Sequence, residues 1–199
     1  MSTPLKRAIS LARRHGTVRS CELGAAGVAR AQLSRMVAAG ELTRVARGLY
    51  GLPGRSPDEN EALAVVSRRA PQTLFCLLTA LRLHELTTQS PFEVWIAVGN
   101  KDRAPRLHWP PLRVVRFSAA ALKSGVEERA ISEGTIRLTS VAKTVADCFK
   151  FRHMVGLDVA LEALREALRE RRTNVDELWK QATICRVTRV MRPYLEAMA

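Results

Sequence analysis

Apolar positions at the start of the chain recur at helical spacing. Leu5, Ile9 and Ala12 form one stripe, with Thr3 before them as a cap, Pro4 at the first helical position and Gly16 after them as a stop. The spacing predicts a short amphipathic helix. Thr17 and Val18 suit a minimal strand, and Ser20 opens a second short helix through Leu23 and Ala25, ended early by Gly24, Ala26 and Gly27. A third helix is expected over residues 29–39, with Gly40 as its stop. Two β-rich runs, 42–45 and 49–52, flank the turn Ala46-Arg47-Gly48 and predict a hairpin. Three helices followed by a hairpin, the second and third helices parted by a tight glycine turn, is the order of a winged helix-turn-helix.

The third helix carries a sharper signal. At about 100° per residue, Leu33, Met36 and Val37 fall on one side, and Ala31, Ser34, Arg35 and Ala38 on the other, with Arg30 and Gln32 flanking the polar side near its start. Small residues let such a face enter a major groove closely, and Arg and Gln can pair with guanine and adenine edges. Arg30, Gln32, Ser34 and Arg35 are therefore the candidate base-reading residues. Arg19 at the start of the second helix, and Arg44 and Arg47 near the hairpin tip, are candidates for phosphate contact.

Pro53-Gly54-Arg55 reads as a linker, and Ser56, Pro57, Asp58 and Glu59 as a capping box opening a helix that turns Leu63 and Val66 inward. A boundary is expected here, with one domain over 1–55 and a second over 56–199. Beyond it the pattern predicts a short strand over 73–76, a helix over 77–86, strands over 92–98 and 113–117, a loop over 99–111, and a strand over 134–138. Ser140 caps a helix reaching about residue 151, with Val141, Val145 and Cys148 on its inner side. Leu157, Leu161, Leu164 and Leu168 make a stripe on the next helix, with Glu162, Arg165, Glu166 and Arg169 as a solvated face. Asn174 with Glu177 starts another helix, and Val187, Val190 and Met191 mark a last one, interrupted by Pro193. The fold class is α+β: a winged helix-turn-helix, then a mixed α/β domain with a helical C-terminal part.

Charge changes the picture. The 199 residues carry 32 Lys and Arg against 19 Asp and Glu, a formal net charge of +13. Residues 1–55 hold ten basic side chains and two acidic ones, a net of +8, whereas 56–118 and 119–199 contribute only +2 and +3. A basic head on a nearly balanced body suggests a nucleic-acid module joined to something with another task. The loop residues Lys101, Arg103 and Arg106 are read as solvated.

Other chemistries lack their residues. No apolar run reaches the roughly 20 residues of a membrane helix, and the N-terminal apolar stretch is too short for a secretory signal. Cys21, Cys76, Cys148 and Cys185 stand singly and are read as reduced thiols, and His15, His84, His108 and His153 show no ligand spacing, so neither a metal nor a cofactor is expected. His84 is read as a hydrogen-bonded core or surface histidine, and Asp147 as an ion-pair partner of Lys143 or Lys150. Phosphate-binding glycine loops and the nucleophile elbow are missing. None of the six lysines has an acid two positions before it, as metal-dependent nuclease sites often do. The expectation is a cytoplasmic protein without enzymatic activity.

The motifs Gly40-Glu41-Leu42, Arg47-Gly48-Leu49-Tyr50, Thr79-Ala80-Leu81-Arg82-Leu83-His84, the strand 94–98, Thr139-Ser140-Val141-Ala142-Lys143-Thr144-Val145-Ala146-Asp147 and Arg192-Pro193-Tyr194-Leu195-Glu196 occur in one order over nearly the whole chain. In this the sequence resembles the AbiEi-type antitoxins of type IV toxin-antitoxin systems, regulators associated with phage defence. The resemblance implies an N-terminal winged helix that binds inverted repeats in its own promoter, two copies per operator, and a C-terminal domain that counters a nucleotidyltransferase-like toxin. Two alternatives stay open: an interaction protein whose body binds a toxin or other partner, and a solitary winged-helix regulator without a toxin.

Overall fold

A computed structural model describes residues 3–46, 48–54, 59–89, 91–107, 109–131 and 134–198. The first helix, α1 (Pro4–His15), begins where the Thr3 hydroxyl accepts the Lys6 N–H at 3.4 Å, and it ends at Gly16, whose φ of 69° suits a residue without Cβ. There follow β1 (Thr17–Arg19), α2 (Ser20–Ala25), α3 (Arg30–Ala38), β2 (Thr43–Ala46) and β3 (Leu49–Gly51). The strands form an antiparallel sheet in the order β1-β3-β2. One face of each helix closes over a core containing Ala8, Ala12, Leu23, Leu33 and Met36, with Val18 and Leu42 from the sheet region. The expected capping box at 56–59 lies largely outside the described residues.

The rest of the chain is built on a mixed five-stranded sheet. Its elements are α4 (Glu59–Arg69), β4 (Leu74–Phe75), α5 (Leu77–Leu83), β5 (Val94–Gly99), β6 (Leu112–Phe117), α6 (Ala119–Lys123), β7 (Val126–Ile131), β8 (Gly134–Thr139), α7 (Val141–Lys150), α8 (Arg152–Val155), α9 (Leu157–Arg169), α10 (Val175–Cys185) and α11 (Thr188–Glu196). The strand order is β6-β5-β4-β8-β7. β4 pairs parallel to β8 and antiparallel to β5, β5 and β6 run parallel, and β7 closes one edge antiparallel to β8. Alternation sends Trp95 and Ala97 to one core and Val94 and Ile96 to the other. The larger core lies under α5, α7, α9, α10 and α11, and the smaller joins Leu63 and Val66 of α4 to Phe75, Ile136 and Leu138.

Four sequence expectations change here. Residues 119–131, for which no element was expected, form α6 and β7; the helix is five residues long and the strand alternates Glu127, Arg129 and Ile131 at an edge, too short a pattern to stand out. α7 is buried on every side from Val141 to Phe149 instead of along one stripe, because α5, α9 and α10 all pack against it. On α9 the buried face is Val159, Ala160, Ala163, Leu164 and Ala167, while Leu157 is 37% exposed and Leu161 and Leu168 are partly buried. Small residues there let two helices approach closely, so the leucines straddle the contact instead of filling it. Pro193 lies within α11 without ending it; it removes one amide donor, and Met191 and Leu195 still bury their side chains around it.

Candidate nucleic-acid interface

The α2–α3 corner is set by Arg7 and Gly27. Arg7, on α1, donates from Nη1 to the Ala26 carbonyl at 2.8 Å, which pins α1 to the turn. Gly27 sits at φ 77°, and a Cβ added there would lie 2.7 Å from Arg7 Nη1. The turn therefore favours glycine for its backbone angle, and the tip of the Arg7 side chain would have to shift to admit a Cβ. Val28, buried, then leads into α3.

α3 divides as its periodicity demands. Leu33 and Met36 are buried and Val37 is half-buried, whereas Arg30, Ala31, Ser34, Arg35 and Ala38 are exposed. The structure thus brings Arg30, Ser34 and Arg35 onto one solvent-facing surface with only small side chains between them. Ser34 donates its hydroxyl to the Arg30 carbonyl at 3.3 Å. Gln32 is half-buried and otherwise engaged: its Oε1 accepts the Ala29 N–H at 2.9 Å, closing the first turn of the helix. Bidentate pairing with adenine needs both ends of the amide, and in this arrangement one lone pair of Oε1 is already taken by the start of the helix. Sequence reading had no access to that competition.

Arg19 ends β1 opposite Leu49, and its N–H donates to Glu22 Oε2 at 2.9 Å. The Ser20 N–H donates to the Gly48 carbonyl at 2.9 Å, so the start of α2 and the β2–β3 turn meet at one end of the small sheet. Arg44 is exposed on β2, paired in register with Tyr50. Arg47 lies outside the described residues.

Two cavities beside this module collect cations that sequence reading did not group. One, of about 470 Å³, is lined by Arg19, Ser20 and Gly48 from the N-terminal sheet region and by Arg69, Arg106 and Trp109 from beyond residue 59. The next, of about 620 Å³, shares Arg69 and Arg106 and adds Arg103, Lys123 and Arg137 over a floor that includes Leu74 and Ala97. These five basic residues come from α4, the 100–111 loop, α6 and β8, so their grouping has no sequence period.

The polar groups of the larger core are structural. Lys143 Nζ donates to both carboxylate oxygens of Asp147 at 2.5 Å and lies 4.2 Å from the centre of the Phe117 ring; both charged side chains are buried. Cys185 donates its thiol to Asp147 Oδ1 at 3.3 Å. Burial raises the Asp147 carboxyl above its ordinary value, an effect the neighbouring Lys143 ammonium partly reverses. Burial likewise pushes the Cys185 thiol up to about 12 and raises Cys76 and Cys148, which keeps these thiols protonated and unreactive. His84, at the end of α5, donates from Nε2 to the Thr139 carbonyl at 2.7 Å and accepts at Nδ1 from Arg129 Nη2 at 3.1 Å. Burial lowers its basicity and the Arg129 charge adds to that, against the Thr139 hydrogen bond. One nitrogen donating and one accepting is the neutral ring, so His84 links α5, β8 and β7 without a charge of its own. Among the described residues no group of three or more His, Cys, Asp or Glu is placed to hold a metal ion, and no helix is long and apolar enough to cross a membrane.

These features define a mixed α+β protein with an exposed arginine-bearing helix in its N-terminal module. Residues 6–53 match the model of a family described as a transcriptional regulator, AbiEi antitoxin, in agreement with the resemblance carried by the sequence motifs. That supports a regulatory role. No curated protein matches the sequence. Among solved structures, the chain is similar to the crystal structure of the RV2827C protein from Mycobacterium tuberculosis, with a TM-score of 0.59 and 14% identity over 92% of this chain and 72% of that one. At this identity the likeness concerns the fold.

Proposed function

We propose that this protein is a DNA-binding transcriptional repressor of the AbiEi antitoxin type, acting in the cytoplasm without catalysis or cofactor. Residues 1–55 form a winged helix-turn-helix, and residues 56–199 form a second domain that counters a nucleotidyltransferase-like toxin. The reading is carried by one observation: α3 exposes Arg30, Ser34 and Arg35 among small side chains, within the segment that matches the regulator family. Arg30, Gln32, Ser34 and Arg35 address base edges in the major groove, Gln32 doing so while its Oε1 also accepts the Ala29 N–H at the helix start. Arg19, Arg44 and Arg47 contact the sugar-phosphate backbone. Repression follows from occupancy of inverted repeats in the protein's own promoter, two copies spanning half-sites about 34 Å apart.

A gel-shift series on duplexes from the region upstream of its gene tests this. Arg35→Ala is expected to lose about 1–3 kcal/mol on the preferred duplex and to relax base preference at one position. Arg44→Ala is expected to weaken all duplexes alike and to lower the logarithmic salt slope by about 1. If neither substitution alters binding to any duplex, the assignment of α3 and the hairpin is wrong. Co-purification of the intact chain with the product of the adjacent gene tests the toxin partner.

A further inference from the structure

A cavity of about 200 Å³ lies between the end of β6, α6 and the C-terminal ends of α7 and α10, and no residue of the N-terminal module lines it. Its walls are apolar: Phe117 and Phe151, stacked at 5.7 Å between ring centres, with Ala121 and Ile184. The one acid that lines it is Asp147, 1% exposed. A carboxylate offers about four acceptor positions. Lys143 Nζ takes one on each oxygen and the Cys185 thiol a second on Oδ1, which leaves one on Oδ2 unfilled among the described residues.

Three exposed cations, Arg116, Lys150 and Arg186, line the same cavity. Arg116 is employed through Nη1, which donates to the carbonyls of Gly99 at 2.6 Å and Asp102 at 2.5 Å. The side chains of Lys150 and Arg186 make no hydrogen bond or ion pair among the described residues. Arg186 also stands at φ 58° and ψ 44°, the left-handed position after α10 where glycine is the usual residue. A side chain there carries a backbone cost that the helix end does not require. Because Lys143 balances Asp147, the cavity keeps its positive excess around an apolar interior, which suits an anion with an apolar body.

Apolar walls with a few convergent polar groups are the make-up of a small-molecule site. A dry cavity of about 150 Å³ holds a benzene ring, so this one admits a ring with one or two small substituents. We propose that the cavity binds a small aromatic carboxylate with a hydrogen-bond donor opposite its acid group. The ring packs on the apolar walls, the carboxylate pairs with Lys150 and Arg186, and the donor meets the open position on Asp147 Oδ2. The site lies apart from α3 and does not depend on the protein's binding DNA.

Calorimetric titration of the full chain with 4-hydroxybenzoate tests this. A Kd of about 0.1–1 mM is expected, ordinary for a ligand of about ten non-hydrogen atoms. Phenol and benzoate each lack one polar end and should bind about tenfold more weakly, the worth of one hydrogen bond to a charged group. Arg186→Gly should weaken 4-hydroxybenzoate by about tenfold while its denaturation midpoint holds or rises, since glycine relieves the left-handed backbone. A merely structural Arg186 would leave ligand affinity alone. Lys150→Gln should act in the same direction, and Arg186→Lys should keep most of the affinity. Absence of binding up to about 10 mM overturns the inference. Phenol binding as tightly as 4-hydroxybenzoate overturns it too, as does unchanged affinity in the double variant Arg186→Gly with Lys150→Gln. No duplex enters these measurements, so the proposed function stands or falls separately.

Discussion

Lys143 and Asp147 show how much a single residue's meaning depends on depth. Four positions apart on α7, they have the spacing of an ordinary surface pair, yet both are buried and meet at 2.5 Å. Removing one partner of such a pair leaves an uncompensated buried charge, so Asp147→Ala is expected to cost about 3–5 kcal/mol in urea denaturation. Replacing both, with Lys143→Met and Asp147→Leu, should cost less than either single change, because no charge is then stranded. His84 gives a pH dependence. Its folded value is depressed by burial, with Arg129 and Arg172 acting in the same sense and the Thr139 hydrogen bond and Glu127 opposing, whereas the unfolded chain protonates near its ordinary value. Its contribution to stability is therefore present above about pH 6.5 and is lost as pH falls through the folded value. His84→Gln should flatten the stability profile between about pH 7 and 5, read by denaturation midpoints across that range.

At the scale of elements, packing partners outrank periodicity. The leucine stripe of α9 was legible in the sequence and the helix is there, but its buried face is turned toward the alanines that meet α7. Leu164→Ala is expected to cost about 2–5 kcal/mol, and Leu157→Ala under about 0.5, in the same denaturation assay. α3 is the contrasting case, since its burial follows its period residue by residue. The difference is that α3 has one packed side, whereas α7 and α9 lie in a layer with neighbours on several sides. At the α2–α3 turn, Gly27→Ala puts a Cβ on a left-handed backbone and displaces the tip of Arg7, and it is expected to destabilise the N-terminal module by about 1–3 kcal/mol and, on the function proposed above, to weaken duplex binding by displacing α3. Ordinary stability with unchanged duplex affinity would show that Arg7 does not govern the placement of α3.

Across the whole molecule, the apolar residues of 5–52 share a core that includes none from beyond residue 59, and the larger sheet has its own cores on both faces. All three tryptophans, Trp95, Trp109 and Trp179, lie beyond residue 56, so their fluorescence reports one part of the chain while far-ultraviolet circular dichroism reports all of it. Leu33→Ala is expected to lower a transition seen by dichroism and to leave the tryptophan transition in place. A single coincident transition, shifted as a unit, would join the proposed domains into one cooperative body.

Most elements, the α+β class, the concentration of charge in the first 55 residues and the exposed face of α3 follow from the sequence, because they depend on spacing along one chain and on side chains that point to water. The motif order also led to the family that residues 6–53 match. Three things waited for the tertiary structure: the employment of Gln32 as a helix cap, the burial of Lys143 with Asp147, and the gathering of Arg69, Arg103, Arg106, Lys123 and Arg137 around one cavity. Each concerns which groups compete for, exclude or surround a given atom. Such relations are set by how a helix, a loop and a strand distant in sequence come to lie together, and no local periodicity records them.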